Sequence, residues 1–217
     1  MQRYALEQGQ MREALAHEFS QFKERVAPLL LEKVEQRRSV EEREAYLTVL
    51  FLDMRGFARL EEEERKEHLD ILRGLAQPLL QRRAAQYVNT WGDAIVACFE
   101  DANAGLKCAC EIVTVLQAAR IQSRIGMSRG KTLVRHNPLT GRPDIEGESV
   151  NLAARLEPLA ELGGVLIDKD LRYHPEVTQD RFIFVRLQRS LKKAVGDQQK
   201  GKVIECYSVE FRGKSQR

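Results

Sequence analysis

Residues 46–57, YLTVLFLDMRGF, lead an apolar strand through a carboxylate into a glycine turn, and the other motifs of the chain can be arranged around them. Its β-branched and aromatic residues predict a buried central strand that ends near Asp53. A helical pattern follows, so the backbone N–H groups of Gly56, Phe57 and Ala58 should lie unpaired at its start, where they favour phosphate oxygens. The stretch therefore predicts a triphosphate site beside a metal-binding acid, with an aspartate that merely caps the helix as the alternative.

A second acid follows in QYVNTWGDAIVACF, residues 86–99, a pattern that predicts two short strands joined at Gly92 and Asp93. Asp93 is then held at a strand end, as Asp53 is. Two such acids can hold a pair of Mg²⁺ or Mn²⁺ ions about 3.5–4 Å apart, the arrangement that stabilises attacking and leaving oxygens at phosphorus. An ordinary turn is the alternative interpretation of Gly92 and Asp93.

The third segment is DIEGESVNLAARLE, residues 144–157, which predicts a helix that starts at residues 147–149. Asn151 and Arg155 lie four residues apart and so share one face of that helix. An amide and a guanidinium on one face can hold a ribose oxygen and a phosphate together. A solvated surface pair is the alternative.

In this order the three segments resemble the class III adenylate and guanylate cyclase catalytic domain. LFLDMRGF is similar to the first metal-aspartate motif of that family, WGDAIVACF to the second, and EGESVNLAARLEPLA to the helix that carries the transition-state Asn and Arg. The resemblance covers residues 47–211 and implies an α+β fold with a ferredoxin-like βαββαβ core. We predict an N-terminal helical extension at residues 1–45, a catalytic domain at 46–211 and a tail at 212–217.

The resemblance also implies the chemistry. Two divalent ions, Mg²⁺ or Mn²⁺, are held by Asp53 and Asp93 while the ribose 3′ oxygen attacks the α-phosphorus of a nucleoside triphosphate. Asn151 orients the ribose ring oxygen, and Arg155 stabilises the developing charge. Because one chain carries both halves of the site, the resemblance implies a homodimer with composite active sites.

The triphosphate-binding lysine of the family is expected in RSLKKAVGDQQKGK, residues 189–202. By its position after the strand predicted at 182–187, Lys192 is the favoured residue. Lys193 and Lys200 stay open, because this segment departs in length from the family pattern.

The base pocket departs from the family pattern as well. In adenylate cyclases a Lys and an Asp read the adenine edge, and the corresponding residues here are Asn89 and Asp144. Asn89 is a shorter amide that both donates and accepts. Trp91 stands where the family usually has Ile and would narrow the pocket against a two-ring purine, with Phe51 as the apolar wall.

These features, in a short chain without a recognisable sensor domain, are similar to bacterial pyrimidine cyclases that make cyclic UMP or cyclic CMP in antiphage signalling. An adenylate cyclase is the alternative, because Trp91 can instead turn into the core or the dimer interface. A second alternative is an inactive nucleotide-binding regulatory subunit. It would be marked by loss of a metal aspartate, Asn or Arg, and none is lost.

Composition limits the remaining classes. The 217 residues carry 35 basic and 32 acidic side chains, dispersed along the chain, which argues against a nucleic-acid partner. The absence of an apolar run of about 20 residues argues against a membrane span. The N-terminus lacks the apolar segment of a signal peptide, and the four cysteines lie in apolar segments typical of reduced core thiols, so we expect a cytoplasmic protein. Further predicted elements are a helix at 102–119, strands at 123–129, 164–168, 182–187 and 203–209, and a polar loop at 130–143.

Overall fold

The computed structural model describes residues 16–25, 28, 42–137, 140–141, 143–191 and 201–212. The chain divides into two compact units, residues 1–43 with 135–143 and residues 44–134 with 144–217. In the first unit, residues 16–25 are helical. The predicted helical extension at 1–45 is wrong at residues 43–45, which belong to the first strand of the sheet, and most of its other residues lie outside the described ranges.

Four strands and two helices form the βαββαβ core. In chain order these are β1 (Arg43–Met54), α1 (Glu62–Arg82), β2 (Gln86–Trp91), β3 (Ala94–Phe99), α2 (Ala102–Ala118) and β4 (Ser123–His136). The strands are ordered β2-β3-β1-β4, so each helix connects two strands that have one other strand between them. β3 runs antiparallel to both β1 and β2. This split order confirms the predicted ferredoxin-like core.

Further strands extend the sheet beyond β4. The remaining elements are β5 (Pro143–Glu146), α3 (Glu148–Leu156), β6 (Gly164–Asp168), α4 (Lys169–Arg172), β7 (Phe182–Ser190) and β8 (Val203–Phe211). The sheet continues β4-β6-β8-β7, and β5 pairs with β4. The strands predicted at 182–187 and 203–209 are confirmed as β7 and β8, which are three and two residues longer than predicted.

The predicted polar loop at residues 130–143 is wrong. β4 continues to His136 and is paired by β5. Thr132 and Val134 are buried while Lys131 is exposed, so this part of the strand has one buried and one solvated face. The charged residues of that outer face made the segment resemble a loop.

The strand β1 divides its side chains between two faces of the sheet. Leu50 and Leu52 pack in a cluster that includes residues of α1 and α2. Leu47 and Val49 belong to a second cluster, which includes a residue of α3. We call this second side the site face, because side chains alternate along a strand and Asp53 lies on the same side as Leu47 and Val49.

The helix α3 lies against the backbone of β4 at Gly126. A Cβ atom at this position would lie 2.2 Å from the carbonyl oxygen of Ala153 and 2.3 Å from the backbone nitrogen of Glu157. Only a residue without a side chain permits this approach. Gly126 therefore fixes how closely the helix carrying Asn151 and Arg155 lies to the sheet.

Two further packing features concern the start of α1 and the cysteines, which were expected to be core thiols. Glu61 and Glu64 form a reciprocal capping box at the start of α1. The four cysteines are buried and free. No helix in the described ranges is both long and apolar enough to cross a membrane.

Candidate active site

Of the two aspartates predicted to bind metal, Asp53 is affected by the charge of Asp93. Asp53 is the residue before the end of β1, and Asp93 lies in the turn between β2 and β3. Burial, followed by the negative charge of Asp93, raises the pKa of Asp53, and Arg124 opposes the shift. Two carboxylates that repel in this way lie close together.

This pair suits a hard divalent cation. Carboxylate oxygens are the ligands that Mg²⁺ and Mn²⁺ prefer, and a cation between Asp53 and Asp93 would remove their repulsion. Within the part of the chain that the structure describes, no three His, Cys, Asp or Glu side chains converge on one point. Substrate phosphates and water would complete the coordination, as is usual for Mg²⁺.

The turn after β1 presents backbone N–H groups beside these acids. Gly56 has a φ of 81°, and a 3₁₀ turn follows at Phe57–Arg59. Among the described residues, the N–H groups of Gly56, Phe57 and Ala58 donate to no backbone carbonyl. The sequence pattern placed the helix directly here, but α1 begins only at Glu62. Three backbone donors are therefore available to an anion from a short turn.

Phe51, Asn89 and Trp91, which were predicted to form the base pocket, share the site face. Asn89 pairs with Val96 and Trp91 with Ala94, so both side chains leave the sheet on the same side. The Trp91 ring lies 6.4 Å from the Phe51 ring between centroids and is 54% exposed. Trp91 has therefore not turned into the core, which was one of the interpretations left open by the sequence.

A β-bulge that the sequence pattern missed sets this orientation. Between two pairs of the ladder, β2 advances three residues, from Gln86 to Asn89, while β3 advances two, from Cys98 to Val96. Tyr87 lies in the extra step with a φ of 50°. Bulges of this kind re-aim the side chains that follow them. The sequence did not predict this bulge, because an aromatic residue does not by itself indicate a positive φ.

The helix α3 carries the predicted transition-state residues. It begins after Gly147, which has a φ of 147° and where a Cβ atom would lie 2.7 Å from the carbonyl oxygen of Lys131, so a side chain is excluded there. Asn151 is exposed, and Arg155 is half-buried in the last turn. Asp144 lies on β5, where its Oδ1 accepts a hydrogen bond from the neighbouring Ile145 N–H at 2.9 Å.

Two charged residues near Asp53 were missed by sequence reasoning. Arg124 Nη2 donates to Asp53 Oδ2 at 3.4 Å and forms an ion pair with Glu157 Oε1 at 2.7 Å. Burial raises the pKa of Glu157 to about 7, and Arg124 opposes the shift. The sequence offered only a weak signal for this pair. Arg124 and Glu157 are each a charged residue next to apolar ones, and they are 33 positions apart in the sequence.

The expected triphosphate lysine cannot be placed. Lys192 and its alternatives Lys193 and Lys200 lie outside the described residues.

Comparison with known proteins agrees with this geometry. The family model of the adenylate and guanylate cyclase catalytic domain matches residues 40–209. An adenylate cyclase of Streptomyces griseus is 30% identical over 141 residues, which are 60% of this chain and 34% of that protein. The chain therefore spans about a third of the length of this curated relative.

Solved structures share the fold. The adenylyl cyclase CyaB from P. aeruginosa superposes with a TM-score of 0.68 at 22% identity, over 81% of this chain and 98% of that one. The catalytic core of a rhodopsin-guanylyl cyclase with converted specificity, in complex with ATPαS, superposes with a TM-score of 0.65 at 23% identity. The match covers 80% of this chain and 100% of that one. With a family match over most of its length, this chain belongs to the adenylate and guanylate cyclase catalytic domain family.

Proposed function

We propose that this protein is a nucleotide cyclase that converts a nucleoside triphosphate to a 3′,5′-cyclic nucleotide and pyrophosphate. The observation that carries the proposal is the Asp53–Asp93 pair, two mutually repelling carboxylates beside the open N–H groups of residues 56–58. A regulatory subunit that only binds nucleotide has no need of such a pair. Membership of the cyclase family supports the same reaction.

In the proposed reaction the ribose 3′ oxygen forms a bond to the α-phosphorus, and the bond to the bridging oxygen of pyrophosphate breaks. Bound divalent ions would lower the pKa of the 3′ hydroxyl and neutralise the phosphates. Asp53 and Asp93 hold those ions, and the turn after β1 orients the triphosphate. Asn151 positions the ribose and Arg155 stabilises charge at the phosphorus. No side-chain general base is assigned.

The site is proposed to be composite. The metal aspartates of one subunit face Asn151, Arg155 and the lysine of another, and each homodimer has two such sites. The resemblance to class III cyclases supports this arrangement, and one chain carries residues of both halves. A homodimer in the cytoplasm, where triphosphates are abundant and the buried thiols of this chain stay reduced, is the form we propose.

For the base we propose a pyrimidine, so that the substrate is UTP or CTP. The Trp91 and Phe51 rings lie 6.4 Å apart between centroids, and a base bound beside them would find less room for the second ring of a purine. Asn89 on the same face offers both a donor and an acceptor, which suits the amide edge of uracil or cytosine better than a lysine does.

ATP is the second candidate, favoured by two observations. The acid expected in adenylate cyclases is present as Asp144, and the Streptomyces griseus relative is named an adenylate cyclase. The rhodopsin-guanylyl cyclase core has a converted specificity and is in complex with ATPαS, which supports a base choice that can change within this fold.

The experiment is to incubate the purified protein with Mn²⁺ and each of the four α-labelled ribonucleoside triphosphates separately, and to resolve the products. Asp53→Asn is the blank. Cyclic UMP or cyclic CMP as the main product supports the full proposal, and cyclic AMP supports the second candidate. Nucleotide binding without release of pyrophosphate contradicts the enzymatic proposal.

The pocket residues are tested by combining Trp91→Ile with Asn89→Lys. We expect the ratio of kcat/KM for ATP to that for the pyrimidine substrate to rise about tenfold or more. Val185→Ala, at an exposed site on the edge strand β7, is the matched apolar control. An unchanged ratio would mean that these two residues do not read the base.

The biological role that we propose for the cyclic nucleotide is a second messenger of antiphage defence, and it rests on the resemblance to bacterial pyrimidine cyclases alone. Cells carrying the wild type or Asp53→Asn are challenged with phage. Fewer plaques together with a rise in the cyclic nucleotide, both dependent on Asp53, are the expected result. Equal plaque numbers with the two variants contradict the role.

A further inference from the structure

The side chain of Arg124 is shared between a metal aspartate and a second acid. Its Nη2 atom lies 3.4 Å from Asp53 Oδ2 and 2.7 Å from Glu157 Oε1. The side chains of Arg124 and Glu157 are only 12% and 8% exposed, whereas Asp53 is 31% exposed. Arg124 therefore lies closer to Glu157, with which it forms an ion pair without hydrogen-bond geometry, than to Asp53, to which it donates a long hydrogen bond.

Stability does not explain this arrangement. Moving a guanidinium and a carboxylate out of water costs about as much as their attraction returns, so apolar residues of similar volume would serve the fold as well or better. Glu157 also lies within the electrostatic reach of both Asp53 and Asp93.

The positions of the pair suggest what it does. Arg124 belongs to β4, next to the strand that carries Asp53, and Glu157 directly follows the end of α3. Without Glu157, the nearest acceptor for the Arg124 guanidinium is Asp53 itself. A salt bridge there would occupy the carboxylate oxygens that a metal ion needs.

We propose that Arg124 and Glu157 are positioning residues that set the affinity of the Asp53–Asp93 pair for divalent metal. Glu157 draws Arg124 away from Asp53 and keeps that carboxylate free for the ion. Arg124 in turn offsets part of the negative charge and limits how tightly the ion is held. This inference rests on the proposed function, in which these two aspartates hold metal.

The two residues act in opposite directions. Glu157→Gln removes a negative charge and releases Arg124 towards Asp53, so metal affinity falls. Arg124→Gln removes a positive charge beside the ion, so metal affinity rises. The double variant restores the charge balance and should bind metal close to the wild-type value. A brace that only supports α3 would instead weaken binding in both single variants.

The experiment measures Mn²⁺ binding by the electron paramagnetic resonance signal of the free ion. It is done at pH 8 with a saturating 3′-deoxynucleoside triphosphate of the base that is turned over, which lacks the attacking hydroxyl and cannot cyclise. We expect the dissociation constant of Mn²⁺ to rise about tenfold in Glu157→Gln and to fall about threefold in Arg124→Gln. Thermal unfolding of each variant confirms that it is folded, and Arg124→Met, which also removes the positive charge, replaces Arg124→Gln if the latter is not.

Glu111→Gln is the matched control, because it removes the same charge from an ion pair between α1 and α2, where Glu111 Oε1 lies 2.5 Å from Arg83 Nη2. Its Mn²⁺ affinity should equal that of the wild type. Shifts of the same sign in Glu157→Gln and Arg124→Gln, or no shift in either, overturn the inference. If wild-type binding does not depend on Asp53, the proposed function itself fails, and the two failures are distinguishable.

Discussion

At Asp53 the charge that the proposed metal site needs lowers the stability of the folded protein. Its pKa is raised by burial and by Asp93, so the ionised form is less stable in the folded chain than in the unfolded one. When the pKa of an acid is higher in the folded state than in the unfolded state, its contribution to stability is fully present below the pKa of the unfolded state. That contribution is lost as the pH rises through the pKa of the folded state. At neutral pH the charge of Asp53 therefore opposes folding.

Replacement of Asp53 by Asn should separate the two properties. We expect cyclase activity to fall by about a thousandfold, because a metal ligand is lost. The melting temperature should stay equal or rise, because the repulsion with Asp93 is removed. Product formation and thermal unfolding are measured on the same preparation, with Asp70→Asn on the exposed side of α1 as a control. A variant that melts several degrees lower would show that Asp53 has a structural role.

A second buried acid, Asp168, gives the protein a pH dependence of stability. Its Oδ2 accepts a hydrogen bond from the Ser128 hydroxyl at 2.5 Å, and its Oδ1 accepts one from the Leu171 N–H at 2.9 Å. Burial raises the pKa of Asp168 from 3.8 to about 6. The group therefore favours the folded state below about pH 3.8, and this contribution is lost as the pH rises to about 6.

Asp168→Asn should flatten that part of the profile, because the amide can still cap α4 and cannot titrate. We expect the decrease in the free energy of unfolding between pH 4 and pH 6 to be smaller than in the wild type by about 2–3 kcal/mol. Urea unfolding at a series of pH values measures it. Parallel profiles for the two proteins would mean that Asp168 titrates normally.

Among the elements, α3 is the one whose placement depends on a single residue. The helix meets β4 at Gly126, where a Cβ would lie 2.2–2.9 Å from the backbone of Ala153 and Glu157. Backbone atoms cannot rotate away as a side chain can, so the helix would have to move.

Gly126→Ala should therefore destabilise the fold by about 2 kcal/mol or more and lower activity even where the protein remains folded. Gly74→Ala on α1 is the matched control, because nothing lies within 4 Å of the position that its methyl group would take and alanine favours a helix. Denaturant unfolding and product assays compare the two variants. Equal stability would show that α3 shifts without cost.

Element by element, local patterns in the sequence predicted most of the sheet. The strand and hairpin around Asp53 and Asp93, the helices α1 and α2 and the strands after α3 follow from apolar spacing and turn residues. The extension of β4 and the strand β5 were missed, because their outward residues are charged and β5 has only four residues. The bulge at Tyr87 depends on cross-strand pairing, which a local pattern cannot express.

The candidate site was predicted to the extent that its residues lie in contiguous motifs. Asp53, Asp93, Asn151 and Arg155 stand within three such motifs. The Arg124–Glu157 pair joins two segments that are distant in the chain, and neither residue differs locally from an ordinary surface charge. Only the packing of α3 on β4 brings them together.

At the scale of the whole molecule, the proposed composite site predicts complementation between two inactive proteins. In a mixed dimer of Asp53→Asn and Arg155→Ala subunits, one site contains both substitutions and the other contains neither. With equal amounts and free exchange, half of the dimers are mixed, so activity should recover to about a quarter of the wild-type value. Product formation before and after mixing measures it. If native mass spectrometry shows mixed dimers and activity does not recover, Asp53 and Arg155 act within one subunit's site.

The four buried cysteines have a consequence for how unfolding of this protein can be followed. Cys98 belongs to the cluster on the site face, Cys108 and Cys110 to the cluster beneath α1 and α2, and Cys206 to the cluster around Leu156. Burial raises the pKa of Cys98, Cys108 and Cys110 to about 12, so in the folded state these thiols are almost unreactive. Pulse alkylation with mass spectrometry would therefore report, without any engineered label, the order in which these three clusters become exposed during unfolding.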